Sequence, residues 1–65
     1  MITFNNKEIL WYKGITISKL LSQIEFGDRY AVVKLNGKLI SKPCFESTII
    51  SDGSHVIPLP MIAGG

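Results

Sequence analysis

The chain has 65 residues, of which 46% are hydrophobic and 18% are charged, and its net charge at pH 7 is +2. This length and composition predict one globular domain over residues 1–65 and exclude the disordered class. The lysines are scattered along the chain, which is typical of solvated surface, so no nucleic-acid partner is expected.

Cysteine usage and hydropathy indicate the compartment. Cys44 is the only cysteine, so an internal disulfide or a cysteine-based zinc site is excluded and a reducing, cytoplasmic setting is expected. We also expect no signal peptide and no membrane partner, because no apolar run has the required length. The aromatic residues expected in the core are Phe4, Trp11, Tyr12, Phe26, Tyr30 and Phe45.

The first half of the chain predicts an antiparallel hairpin followed by one helix. Ile2–Phe4 and residues 8–12 have extended patterns and flank a polar turn, and Gly14 marks the exit from the second strand. Thr16 is expected to cap the helix, and Gly27 to end it in the left-handed conformation. The apolar face has the spacing i, i+3, i+4, i+7 and is expected to pack on a sheet. Its members are Ile17, Leu20, Leu21 and Ile24.

The second half predicts a further hairpin and a last strand. Residues 30–35 and 38–40 flank Asn36-Gly37, a strong signal for a tight turn. Alternation directs Val33 toward the helix, and Tyr30, Val32 and Lys34 away from it. Residues 41–47 are interpreted as a loop or one helical turn, 48–50 as a short extended piece, 51–54 as a turn and 55–61 as the last strand.

Two prolines mark the last strand. Pro58 and Pro60 both lack an N–H group, and alternate residues of a strand direct their nitrogens to the same edge. We therefore expect pairing on both edges over residues 55–57 and on one edge beyond them.

Together these features resemble the ThiS-type family of ubiquitin-like sulfur carriers. The resemblance lies in the order β-β-α-β-β-β, the Asn36-Gly37 hairpin, the Asp52-Gly53 turn before the last strand, and the final residues Ile62-Ala63-Gly64-Gly65. It covers the whole chain and implies an α+β, ubiquitin-like β-grasp fold, with a mixed four- to five-stranded sheet and one packed helix. The chain departs from the family pattern at Ser54, Pro58 and Pro60.

The resemblance also implies a function for the C-terminus. An adenylating enzyme of the ubiquitin-activating, ThiF-like type would consume ATP to adenylate the Gly65 carboxylate, which would then become a thiocarboxylate. A ThiG-like thiazole synthase would accept its sulfur in thiamine biosynthesis. Gly64 and Ala63 are small enough to thread a narrow channel, and chain ends are usually flexible. The chain would then be a co-substrate, without catalytic residues, bound cofactor or metal.

A partner surface is expected beside this tail. Residues 55–62 are apolar on both faces, whereas one helix covers only one face of a small sheet, so an apolar patch should stay exposed. Val56 is expected to face the helix. The residues expected to bind partners are Ile57, Leu59, Met61 and Ile62, with Tyr30 and Val32 beside them.

Three other interpretations of the function stay open. The chain could be the small subunit of molybdopterin synthase, which shares the thiocarboxylate, a ubiquitin-like protein modifier, or a non-covalent binding domain with a loose tail.

His55 is expected on a strand surface, because no metal-ligating residue stands at a suitable spacing. Cys44 is expected to be a buried or half-buried structural thiol.

Overall fold

The computed structural model describes residues 1–25 and 27–59. The strands are β1 (Ile2–Phe4), β2 (Lys7–Ile9), β3 (Val32–Leu35), β4 (Lys38–Ser41) and β5 (His55–Leu59), the α-helix is α1 (Ile17–Ser22), and short 3₁₀ turns occupy Gly27–Arg29 and Lys42–Cys44. Predictions made above for Phe26, Pro60, Met61, Ile62, Ala63, Gly64 and Gly65 lie outside the described residues.

The five strands form one mixed sheet in the order β2-β1-β5-β3-β4. β1 and β5 are parallel, with Phe4 opposite Val56, whereas the other three neighbouring pairs are antiparallel. Parallel strands need a long connection, and here residues 5–54 supply it, including α1 and the second hairpin. The predicted α+β architecture with one helix and a mixed sheet is confirmed.

The core lies between α1 and one face of the sheet. Every strand except β2 contributes a buried side chain, and Ile9 of β2 packs against the core while partly exposed. The predicted helical face is confirmed, although Ile24 lies beyond the helix and is only half-buried. The buried apolar residues are Ile2, Phe4, Ile15, Ile17, Leu20, Leu21, Val33, Ile40, Phe45, Ile50 and Val56.

The start of α1 follows the prediction, but its end does not. The Thr16 hydroxyl accepts a hydrogen bond from the Lys19 N–H at 3.2 Å, as an N-cap does. Gly27 does not end the helix in the left-handed conformation, so that prediction is wrong. It lies in a 3₁₀ turn, where its N–H donates to the Ile24 carbonyl at 2.9 Å. A Cβ atom at Gly27 would lie 2.9 Å from the Leu21 carbonyl carbon and closer still to its oxygen, so glycine provides space there.

The second strand ends earlier than predicted, and residues 10–12 are not part of it. β2 ends at Ile9, and the Ile15 N–H donates to the Tyr12 carbonyl at 3.1 Å across a turn in which Gly14 has φ +88°. The Trp11 indole N–H donates to the Ile50 carbonyl at 2.8 Å. Trp11 thus ties this segment to the one that precedes β5, and this long-range bond replaces regular strand pairing.

The second hairpin has the predicted tight turn. Asn36 and Gly37 have φ of +50° and +88°, and a two-residue hairpin turn with both φ positive is type I′. The turn pairs Leu35 with Lys38, and the register continues to Val32 opposite Ser41.

Within the described residues, β5 changes from two paired edges to one as predicted, but the change comes after Val56 and not after Ile57. His55 and Val56 pair with β1 on one edge, whereas Val56 to Leu59 pair with β3 on the other. The Val56 carbonyl accepts from the Asn5 N–H at 2.8 Å, so the nitrogen of Pro58, two residues on, lies toward the same edge. β1 ends at Phe4, and the missing N–H of Pro58 therefore leaves no strand pairing unmade.

The prediction for Cys44 is wrong. Its side chain is exposed at the end of the 3₁₀ turn Lys42–Cys44, and the next residue, Phe45, enters the core instead. The Thr48 hydroxyl donates to the Cys44 carbonyl at 2.7 Å. The position of Cys44 is therefore held through its backbone carbonyl, and its exposed thiol is not part of the core.

Candidate docking surface

The face of the sheet away from α1 carries an apolar surface on β3, β4 and β5. The strand registers form two rows across these strands, Leu39–Lys34–Ile57 and Ser41–Val32–Leu59. Leu39 is 61% exposed and Ile57 47%, whereas Val32 and Leu59 are half-buried. We call Val32, Lys34, Leu39, Ile57 and Leu59 the outer patch.

Alternation along β5 has the predicted sense. Val56 is fully buried against the core and Ile57 is exposed on the opposite face. Leu59 lies on the same face as Ile57. It is less exposed than Ile57, because Val32 lies directly beside it in the register and covers part of its side chain. Of the predicted partner-binding residues, the structure therefore brings Ile57 and Leu59 together.

The prediction that Tyr30 belongs to this face is wrong. Its ring packs edge-on against Phe4 in the core, with centroids 6.4 Å apart and an interplanar angle of 66°. β3 begins only at Val32, and the Tyr30 N–H bonds to the Gly27 carbonyl at 3.3 Å. Because Tyr30 belongs to the preceding turn, strand alternation does not apply to it.

Leu39 is the member of the outer patch that sequence reasoning missed. A type I′ turn at Asn36-Gly37 fixes the pairing of β4 with β3, so Lys34 must face Leu39. With Lys34 assigned to the outer face, the same assignment for Leu39 follows from the sequence.

The Asn36 side chain fixes the hairpin to β5. Its Oδ1 accepts from the His55 N–H at 2.9 Å, and its Nδ2 donates to the Ser54 hydroxyl at 3.3 Å. The Asn36 N–H also donates to the His55 carbonyl at 2.9 Å. Ser54 is only 3% exposed, so this clamp satisfies a buried hydroxyl and sets the register that places Ile57 beside Lys34.

The described residues offer little for metal or acid–base chemistry. Within residues 1–25 and 27–59 no three His, Cys, Asp or Glu side chains come together as a metal site. His55 is exposed on the sheet surface, as predicted. An ion pair of 2.6 Å joins the α-ammonium of Met1 to Asp52, and this hydrogen bond lowers the pKa of the Asp52 carboxyl. No helix in the described ranges is long and apolar enough to cross a membrane.

In the described residues, a five-stranded mixed sheet of order β2-β1-β5-β3-β4 with one α-helix packed on it defines the ubiquitin-like β-grasp class. Comparison with protein families then places the chain within that class: the ThiS family matches residues 2–65, so the chain belongs to the ThiS family.

One curated relative covers nearly the whole chain. The sulfur carrier protein ThiS of Escherichia coli (strain K12) is 27% identical over 64 residues, which are 98% of this chain and 97% of that protein. No solved structure gives a significant match.

Proposed function

We propose that the chain is a sulfur carrier of thiamine biosynthesis and that the carboxylate of Gly65 carries the sulfur. The observation that supports this most directly is the extent of the ThiS family match, which runs to residue 65 and so includes Gly64-Gly65. The similarity to a named sulfur carrier over nearly its full length agrees with it.

The chemistry follows from the properties of a terminal carboxylate. Its pKa, about 3.5, keeps it ionised at neutral pH, and the charge makes its carbon a poor electrophile. Attack of a carboxylate oxygen on the α-phosphorus of ATP forms an acyl-adenylate and releases pyrophosphate. Hydrosulfide then attacks the acyl carbon, AMP leaves, and loss of the S–H proton gives the thiocarboxylate. An enzyme persulfide would first displace AMP to give an acyl disulfide, and a thiol would then cleave its S–S bond, releasing the thiocarboxylate and forming a new disulfide. The resulting thiocarboxylate is a nucleophile that thiazole synthase uses as its sulfur source.

On this proposal the chain is a co-substrate. Its own residues bind the partner enzymes and deliver the C-terminal Gly65 to their active sites. The outer patch docks first on a ThiF-like adenylating enzyme and later on a ThiG-like thiazole synthase, through Ile57 and Leu59. Met61 and Ile62 are assigned to the last anchor, and Ala63 and Gly64 to the narrow channel. We propose a cytoplasmic location, where ATP is available.

The direct test is intact-mass measurement after incubation with ATP, a sulfide source and the adenylating enzyme. The expected product is heavier by the exchange of one oxygen for one sulfur, and it reverts when thiazole synthase and its acceptor are added. Sulfur loading followed by transfer only to a molybdopterin precursor would instead indicate the small subunit of molybdopterin synthase. A lysine adduct would indicate a protein modifier.

Two variants separate folding from function. Deleting residues 64 and 65 is expected to abolish adenylation while the melting temperature stays within error. Gly64→Val is expected to slow adenylation severely, because a β-branched side chain does not fit a channel suited to glycine. Gly53→Ala, distant in sequence, serves as the control, with adenylation rates compared per folded molecule because the positive φ of Gly53 is expected to cost this variant some stability. Normal turnover of Gly64→Val would contradict the threading role.

A further inference from the structure

Lys34 occupies the centre of the outer patch. It lies directly opposite Leu39 on β4 and directly opposite Ile57 on β5. Directly opposed residues of antiparallel strands have Cβ atoms about 5 Å apart. A partner that covers the exposed side chains of both Leu39 and Ile57 must therefore also cover the position between them.

Among residues 1–25 and 27–59, the sheet places no negative charge beside Lys34. The outer face of the five strands carries one carboxylate, Glu8 of β2, which pairs with Thr3 at the far side of the sheet. β1 and β5 lie between β2 and β3. At the usual strand spacing the strand that carries Glu8 is therefore roughly 14 Å from the strand that carries Lys34. The nearer ionisable neighbour is His55, which adds no negative charge. Among the described residues Lys34 has no ion-pair partner.

An ammonium group that loses its water on docking needs a replacement acceptor, because burying an unpaired charge is strongly unfavourable. From this we infer that the partner surface for the outer patch is apolar around a carboxylate, which lies opposite the Lys34 Nζ. The inference rests on the proposed function, in which the first partner is the adenylating enzyme, and it specifies that enzyme's docking chemistry.

A lysine in an apolar surface has a second way to keep its ammonium solvated. Its methylene stem can pack on the partner while the ammonium reaches past the edge strand β4 into solvent. Lys34 would then need no carboxylate. The two arrangements give opposite results for Lys34→Met, which keeps an unbranched apolar side chain but removes the charge.

The test measures the Kd between the adenylating enzyme, without ATP, and the full-length chain by calorimetry at low and high salt. Lys34→Met is expected to weaken binding at least about tenfold, because it leaves the partner carboxylate buried without its counter-charge. Lys34→Arg is expected to bind within a few-fold of the parent, and Lys34→Glu far more weakly than Lys34→Met. The parent's affinity should fall with salt more steeply than that of Lys34→Met.

Lys38→Met is the matched control, because Lys38 is exposed on the same hairpin but pairs with Leu35 on the other face. It is expected to bind like the parent. Binding of Lys34→Met as tight as that of the parent, or tighter, would overturn the inference while sulfur loading of the parent continued. Absence of binding and adenylation in the parent itself would overturn the proposed function and this inference together.

Discussion

Glycine is required at position 27 because a side chain would not fit there, and not because the backbone is left-handed. A Cβ atom there would collide with the backbone carbonyl of Leu21, which cannot move without disturbing the end of α1. Gly27→Ala is therefore expected to destabilise the fold by about 2 kcal/mol or more in urea unfolding. Gly53→Ala is the comparison, because Gly53 has φ +82° and open surroundings. Backbone strain alone should cost that variant about 1 kcal/mol. Equal losses for the two variants would refute the steric explanation.

Asn36 has two roles: its backbone adopts the turn conformation, and its side chain clamps the hairpin to β5. Replacement by glycine removes only the second role. Asn36→Gly tolerates φ +50° but loses the bonds to Ser54 and His55. We expect a loss of about 1–2 kcal/mol in the free energy of unfolding. Asn36→Asp, which keeps an acceptor for the His55 N–H, should lose less. If Asn36→Gly unfolds at the parent's urea midpoint, the clamp contributes nothing.

At the scale of an element, β5 has two faces with separate roles. Val56 is fully buried, so Val56→Ala is expected to cost about 2 kcal/mol of stability while the adenylation rate per folded molecule is retained. Ile57 is exposed on the outer patch, so Ile57→Asp should leave the melting temperature nearly unchanged and slow adenylation. Thermal denaturation and a pyrophosphate-release assay measure the two properties. A large stability loss in Ile57→Asp with normal adenylation would reverse this assignment.

At the scale of the whole molecule, the core joins all parts of the described chain. Side chains from β1, α1, β3, β4, β5 and the connecting segments form one buried cluster, so no element has a core of its own. We expect two-state unfolding. Trp11 is the only tryptophan and bonds to the Ile50 carbonyl, so its fluorescence reports on the loop segments. Its urea midpoint should coincide with that of far-UV circular dichroism. A lower midpoint for Trp11 would show that these segments unfold first.

Sequence patterns predicted the features that depend on residues close together in the chain. The helical face, the Thr16 cap and the Asn36-Gly37 turn are set by side chains within a few positions of one another, so local conformational preferences determine them. The ordered motifs up to Gly64-Gly65 also indicated the family. Alternation along β5 correctly assigned Val56 and Ile57 to opposite faces, because a regular strand has a period of two.

Tertiary structure decided the features that depend on distant residues. The parallel pairing of β1 with β5 joins positions about fifty residues apart, and no local signal specifies it. The tight packing at Gly27, the core position of Tyr30 and the exposure of Cys44 depend on which neighbours each residue meets after folding. The Asn36 clamp on Ser54, which reaches 18 residues along the chain, and the placement of Lys34 between Leu39 and Ile57 arise only when three strands assemble. Their physical basis is contact across the sheet, which a linear pattern does not contain.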